Sequence, residues 1–185
     1  MENKVSVKKY IGKILLRWLE AEFFGLFTFL FFFAFVSSIG LAGNIIFGIV
    51  GILMLVCIMA DFGLKAGEQC RNQVKYHGAA PCRNLGYALG AIAMIPNYVL
   101  LGILLLSKLG VIGNFLPFYK LLNSCFFPII DIVAPTAKIS QTSPALFVLM
   151  IFMPLFYMVS TGIGFKWGYD SVDIKTKIMY KNKKD

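Results

Sequence analysis

Residues 23–60 read FFGLFTFLFFFAFVSSIGLAGNIIFGIVGILMLVCIMA, thirty-eight consecutive positions without a charged side chain. As one helix this run would be roughly 57 Å long, against a bilayer hydrocarbon core of roughly 30 Å. It therefore predicts two spans with a break between them. The break belongs at Gly40-Leu-Ala-Gly-Asn44, where two glycines and an asparagine favour a turn, leaving spans over 23–39 and 45–60. Phe23, Phe24, Phe27, Phe29, Phe31, Phe32, Phe33 and Phe35 point to every side of the first span. Lipid contact accounts for them without a ligand.

Upstream, residues 1–22 interleave Lys4, Lys8, Lys9, Lys13 and Arg17 with Ile11, Ile14, Leu15, Trp18 and Leu19. The apolar members share one helical face, which predicts a cytoplasmic amphipathic leader lying on the membrane surface with Trp18 at headgroup depth. A cleaved signal peptide is the competing reading, since Val36 and Ser38 form a passable small-residue site. Glu2, Glu20 and Glu22, and the second apolar run so close behind, argue against it.

Downstream, residues 61–84 are a polar cytoplasmic loop in which Asp61, Lys65 and Glu68 continue the second span as a solvated helix, ended by Gly78 and Pro81. Residues 85–106 form the third span. It opens with Gly86-x3-Gly90, a spacing that permits close helix packing. Pro96-Asn97 interrupts its middle, where proline frees the Ile92 carbonyl and the asparagine amide requires a protein or water partner. Residues 109–144 are apolar but contain Lys120, Asn123, Pro128 and Asp131. Centring a span on Lys120 costs about 2.5–3.5 kcal/mol. An external re-entrant or interfacial segment is expected there instead. Residues 145–165 form the fourth span, bent at Pro154 and carrying Tyr157, Ser160 and Thr161, and residues 166–185 are a basic cytoplasmic tail.

Charge decides the orientation. The leader, the 61–84 loop and the tail hold fifteen of the eighteen lysines and arginines; Lys108, Lys120 and Lys138 remain for the opposite side. That asymmetry places both termini in the cytoplasm of a four-span, all-α protein of the cell membrane. The net charge of +9 flanks the apolar runs and interleaves with no base-stacking motif. The expected partners are the bilayer and its anionic headgroups, not nucleic acid.

Chemistry is sparse at this level. The four spans as bounded above contain no Lys, Arg, His, Asp or Glu, and the one histidine, His77, has no catalytic constellation around it. No catalytic residue and no cofactor is expected, and the reading leans against an enzyme. Cys70, His77 and Cys82 are suitable zinc ligand types but lack a fourth partner, so no metal site is assigned and reduced loop thiols are expected. The motifs resemble no known family. Two functions follow as expectations. One is a small membrane subunit or scaffold that binds a membrane partner or a second copy through helix packing at Gly86 and Gly90. The other is a transporter or channel component with a polar midplane site formed by Pro96, Asn97, Pro154 and Tyr157.

Overall fold

The computed structural model describes residues 8–170. The first seven residues of the leader lie outside the described residues, as do the tail lysines from Lys175 onward and the side chains of Lys9, Phe33 and Val36. Seven α-helices follow in order: α1 (Lys8–Ile39), α2 (Leu41–His77), α3 (Leu85–Lys108), α4 (Leu116–Leu122), α5 (Phe127–Val133), α6 (Pro144–Phe152) and α7 (Leu155–Tyr169). Short 3-10 turns at Ser124–Phe126 and Ile139–Gln141 complete the helical content, and there is no strand among the described residues.

Among the described residues three helical stretches are long and apolar enough to cross a membrane: α2, α3 and the Leu146–Tyr169 stretch made by α6 and α7. A fourth is added if the bent pair α4 and α5 counts as one span. α1 itself is 32 residues long and carries the charge-free run from Phe23.

The break in the opening run falls at Gly40, whose φ of +65° is a left-handed conformation that glycine adopts without steric cost. One residue therefore turns α1 into α2. The five-residue loop expected over 40–44 is absent because Leu41–Asn44 already belong to α2. At its other end α2 runs past Asp61 and Lys65, which are paired at 2.7 Å, and stops at Gly78 in the left-handed conformation.

Close approach on both faces of α7 holds the bundle together. α2 and α7 run parallel, with Gly63 and Gly67 facing the Thr161–Tyr169 backbone; a Cβ at either glycine would come within 2.8 Å of an α7 amide nitrogen. Gly164 and Gly168 return the same contact against Ala60 and Leu64. α3 packs antiparallel on the other face, where Gly86 meets the Phe165 side chain and Gly90 meets Met158. Both helix-packing glycines singled out in the sequence thus lie against α7 of the same chain. Leu55, Met59, Leu89, Ala93, Leu104 and Phe165 are buried between these helices. Phe23, Phe24, Phe27, Phe31 and Phe35 of α1 remain exposed, the apolar exterior that lipid contact requires and water would penalise.

One expectation is corrected. The leader does not form a separate helix ending before Phe23: α1 continues through Glu22 without interruption, and Tyr10, Ile14, Ala21 and Glu22 are all buried. The apolar face read from Ile11, Ile14, Leu15, Trp18 and Leu19 is rotated from the stripe that packs. Cys70 and Cys82, expected as reduced thiols, are brought together across the end of α2, placed to close as a disulfide. Among the described residues no group of three His, Cys, Asp or Glu side chains is placed to hold a metal.

Candidate functional site

The segment between α3 and α6 explains how a carboxylate comes to be enclosed. α4 and α5 are bent by 97° about the Asn123–Phe126 turn, and the tip of this hairpin wedges against α1 and α2. Glycines make room for it. A Cβ at Gly25 would lie 2.8 Å from the Cys125 amide nitrogen, and one at Gly51 would strike the Cys125 carbonyl. Lys120 and Asp131 stand across the two arms, paired at 2.6 Å, and the same ammonium reaches the Ala134 carbonyl at 2.6 Å. Lys120 therefore belongs to an ion pair, enclosed at the lysine and partly exposed at Asp131, that closes the hairpin, which answers why an apolar segment carries it.

The tip presents Ser124 and Cys125 to α1. Trp18, Glu22 and Gly25 are spaced i, i+4, i+7 and so share one side of that helix. Glu22 is 6% exposed. Its Oε2 accepts from the Ser124 hydroxyl at 3.0 Å and from the Cys125 amide at 3.3 Å. Its Oε1 accepts from the Tyr157 hydroxyl, one turn after Pro154 starts α7. The Ser124 hydroxyl is also within bonding distance of the Glu22 main-chain carbonyl, and the Cys125 thiol donates to the Ala21 carbonyl at 3.1 Å. Enclosing a carboxylate without partners costs several kcal/mol, so three donors on one carboxylate are what its burial demands.

Asn97 extends the cluster. It is 1% exposed, its Oδ1 accepts the Trp18 indole N–H at 2.7 Å, and its amide lies beside Tyr157. Its Nδ2 makes no hydrogen bond of good geometry among the described residues. Buried amide donors are seldom left open, and the acceptor beside this one is the Tyr157 hydroxyl oxygen. Of the four residues expected at a polar site, Asn97 and Tyr157 come together here. Pro154 contributes by starting α7 one turn before Tyr157. Pro96 lies at the wall of an apolar groove with Trp18.

Ser124 lets this arrangement hold either protonation state of Glu22. The hydroxyl has one proton. With the carboxylate ionised, that proton points to Oε2. With the carboxyl protonated at Oε2, the acid donates to Ser124 Oγ, and Ser124 turns its own proton to the Glu22 main-chain carbonyl. Neither arrangement requires the heavy atoms to move.

No family model, curated protein or solved structure matches the chain. Function must therefore be argued from the site's own groups.

Sequence reasoning placed Glu22 outside the membrane because the charge-free run starts one residue later. Ser124 and Cys125 were missed altogether. Glu22 was detectable as a carboxylate in register with the Ile14, Trp18 and Gly25 positions of a helix continuing into an apolar run. The hairpin tip had no comparable signal.

Proposed function

We propose that the protein is a transporter or channel component of the cell membrane whose site handles a proton or a monovalent cation at Glu22. α1, α2, α3 and the α6–α7 pair are its four spans, with both termini on the cytoplasmic side, and the α4–α5 hairpin re-enters from outside. The supporting observation is the enclosed Glu22 carboxylate held between Tyr157 and the tip of a bent hairpin. Ionisable groups inside spans are rare and mark ion or proton paths. Broken helices that meet inside the bundle are a recurrent way of building such sites. Tyr157 lies near the middle of the Leu146–Tyr169 span and Asn97 near the middle of α3, so the cluster falls well inside the apolar layer.

The reading as a subunit or scaffold draws its motif from Gly86 and Gly90, and these are accounted for by packing against α7. Transport at Glu22 is the better supported of the two.

The test is flux in proteoliposomes containing the full chain. Under an imposed electrical gradient, passage of protons, sodium or potassium should exceed that of empty vesicles, and Glu22→Gln should return it to the empty-vesicle rate. Wild-type flux equal to empty vesicles for all three ions would overturn the reading.

A further inference from the structure

Three depressions border α1, the first two continuous along it and the third on the side that carries Ile11 and Leu15. The first, about 450 Å³, is lined by Tyr10, Lys13, Arg17, Glu20, Lys65 and Gln69 among others, and is the charged one. The second, about 540 Å³, shares Leu16 and Glu20 with it and continues as a mainly apolar groove past the edge of Glu22 to Phe23 and Leu26, walled by Leu121 and Leu122 of the hairpin. The third, about 610 Å³, lies beyond Trp18 and Leu122, which it shares with the second. From Leu16 to Leu26 the groove is about 15 Å long, the hydrocarbon depth of one leaflet.

Charge at the head of this path is incompletely matched. Arg17 is paired with Glu20 at 2.6 Å and lies 4.0 Å from Asp61, which also holds Lys65 at 2.7 Å. Three cations thus face two carboxylates, and among the described residues nothing pairs with Lys13. Tyr10 is 1% exposed and its hydroxyl has no hydrogen-bond partner among the described residues.

We propose that this path binds one anionic phospholipid, its phosphate against Lys13, Arg17 and Lys65 and one acyl chain along Leu16, Phe23 and Leu26. An unpaired ammonium and an unsatisfied hydroxyl at one end, with an apolar groove of single-leaflet length at the other, match an amphiphile of that charge and shape. Both the apolar run of α1 and its basic beginning are needed. A protein partner or a second copy would also cover the groove but leaves the length match and the open cation without explanation.

Trp18 lines both apolar grooves and reports on them. In a Trp167→Phe background it is the remaining tryptophan, and lipids with brominated acyl chains quench it on contact. Full-length protein in neutral detergent should be quenched by brominated phosphatidylglycerol at roughly fivefold lower mole fraction than by brominated phosphatidylcholine, the preference one lysine near a headgroup supplies. Lys13→Gln should abolish the difference while leaving quenching by phosphatidylcholine unchanged. Equal quenching by the two lipids in the Lys13-containing protein overturns the proposal. So does protection of Trp18 from both, since protein then fills the groove. No flux is measured, so the outcome is independent of whether Glu22 supports transport.

Discussion

Lys120 and Asp131 are eleven residues apart in sequence and 2.6 Å apart in space, joined across the bend that separates α4 from α5. The Lys120 side chain is almost fully enclosed, whereas that of Asp131 is about one-third exposed. Removing the lysine as Lys120→Met strands the carboxylate and the Ala134 carbonyl. The expected loss is about 2 kcal/mol, below the 3–5 kcal/mol of a fully buried pair because water still reaches Asp131. Adding Asp131→Leu to that variant should restore part of the loss, as replacing both partners is cheaper than orphaning one. Thermal unfolding in detergent of the single and double variants measures this. Additive losses would show that the two side chains do not cooperate in closing the hairpin.

The Tyr157 hydroxyl is a donor to a charged or chargeable oxygen, so its value depends on what Glu22 is. Tyr157→Phe should cost about 1.5–3 kcal/mol in the native chain, the range for a hydrogen bond to a charged group. In a Glu22→Gln background the same change should cost about 0.5–1.5 kcal/mol, as for a neutral pair. A double-mutant cycle from unfolding midpoints gives the difference. Equal costs in both backgrounds would mean that Tyr157 stabilises the bundle without acting through Glu22.

Positions of the long helices were legible because bilayer thickness turns a charge-free run into a length constraint. The Gly40 break and the start of α3 at Leu85 follow from that and from turn chemistry. The enclosed site was only half legible. Asn97 and Tyr157 stood out as polar groups inside apolar runs, whereas Glu22 fell at the end of the expected surface leader, one residue before the charge-free run. Ser124 and Cys125 reach Glu22 through a fold-back spanning about a hundred residues of sequence separation, and no local periodicity encodes that. Helix pairing shows the same division. Gly86-x3-Gly90 was noticed, while Gly63-x3-Gly67 and Gly164-x3-Gly168 build the parallel α2–α7 contact. Both of those lie beside lysines that made their segments read as solvated loop and exit.

Seating of the hairpin tip should depend on the absence of a side chain at Gly51. Gly51→Ala places a methyl against the Cys125 carbonyl, and overpacking of this kind costs about 1–3 kcal/mol. The tip should lift, and Cys125, a buried free thiol, should become reactive. Maleimide modification read on the Cys125 peptide by mass spectrometry should rise in Gly51→Ala and stay low in Gly102→Ala. Gly102 has open space where its Cβ would be, so alanine there should stabilise α3 by about 0.5–1 kcal/mol. Unchanged Cys125 protection in Gly51→Ala would disconnect α2 from the position of the tip.

The Cys70–Cys82 pairing meets the proposed orientation in a way that one measurement resolves. Lys65, Arg71, Lys75 and Arg83 flank these cysteines, and the positive-inside rule puts that side in the cytoplasm, where thiols are held reduced. Cys70 is fully buried and Cys82 partly so, which slows exchange with soluble thiols without preventing closure between neighbours. Acid quenching of intact cells followed by alkylation should therefore find both as thiols. Brief treatment with a membrane-permeant oxidant should convert them to a disulfide, seen as faster migration on a non-reducing gel and lost in Cys82→Ser. A disulfide already present in untreated cells would place this side of the protein outside and invert the topology. Reporter fusions after Gly110 and after Lys184 would then have to give cytoplasmic and external signals, opposite to those the lysine distribution requires.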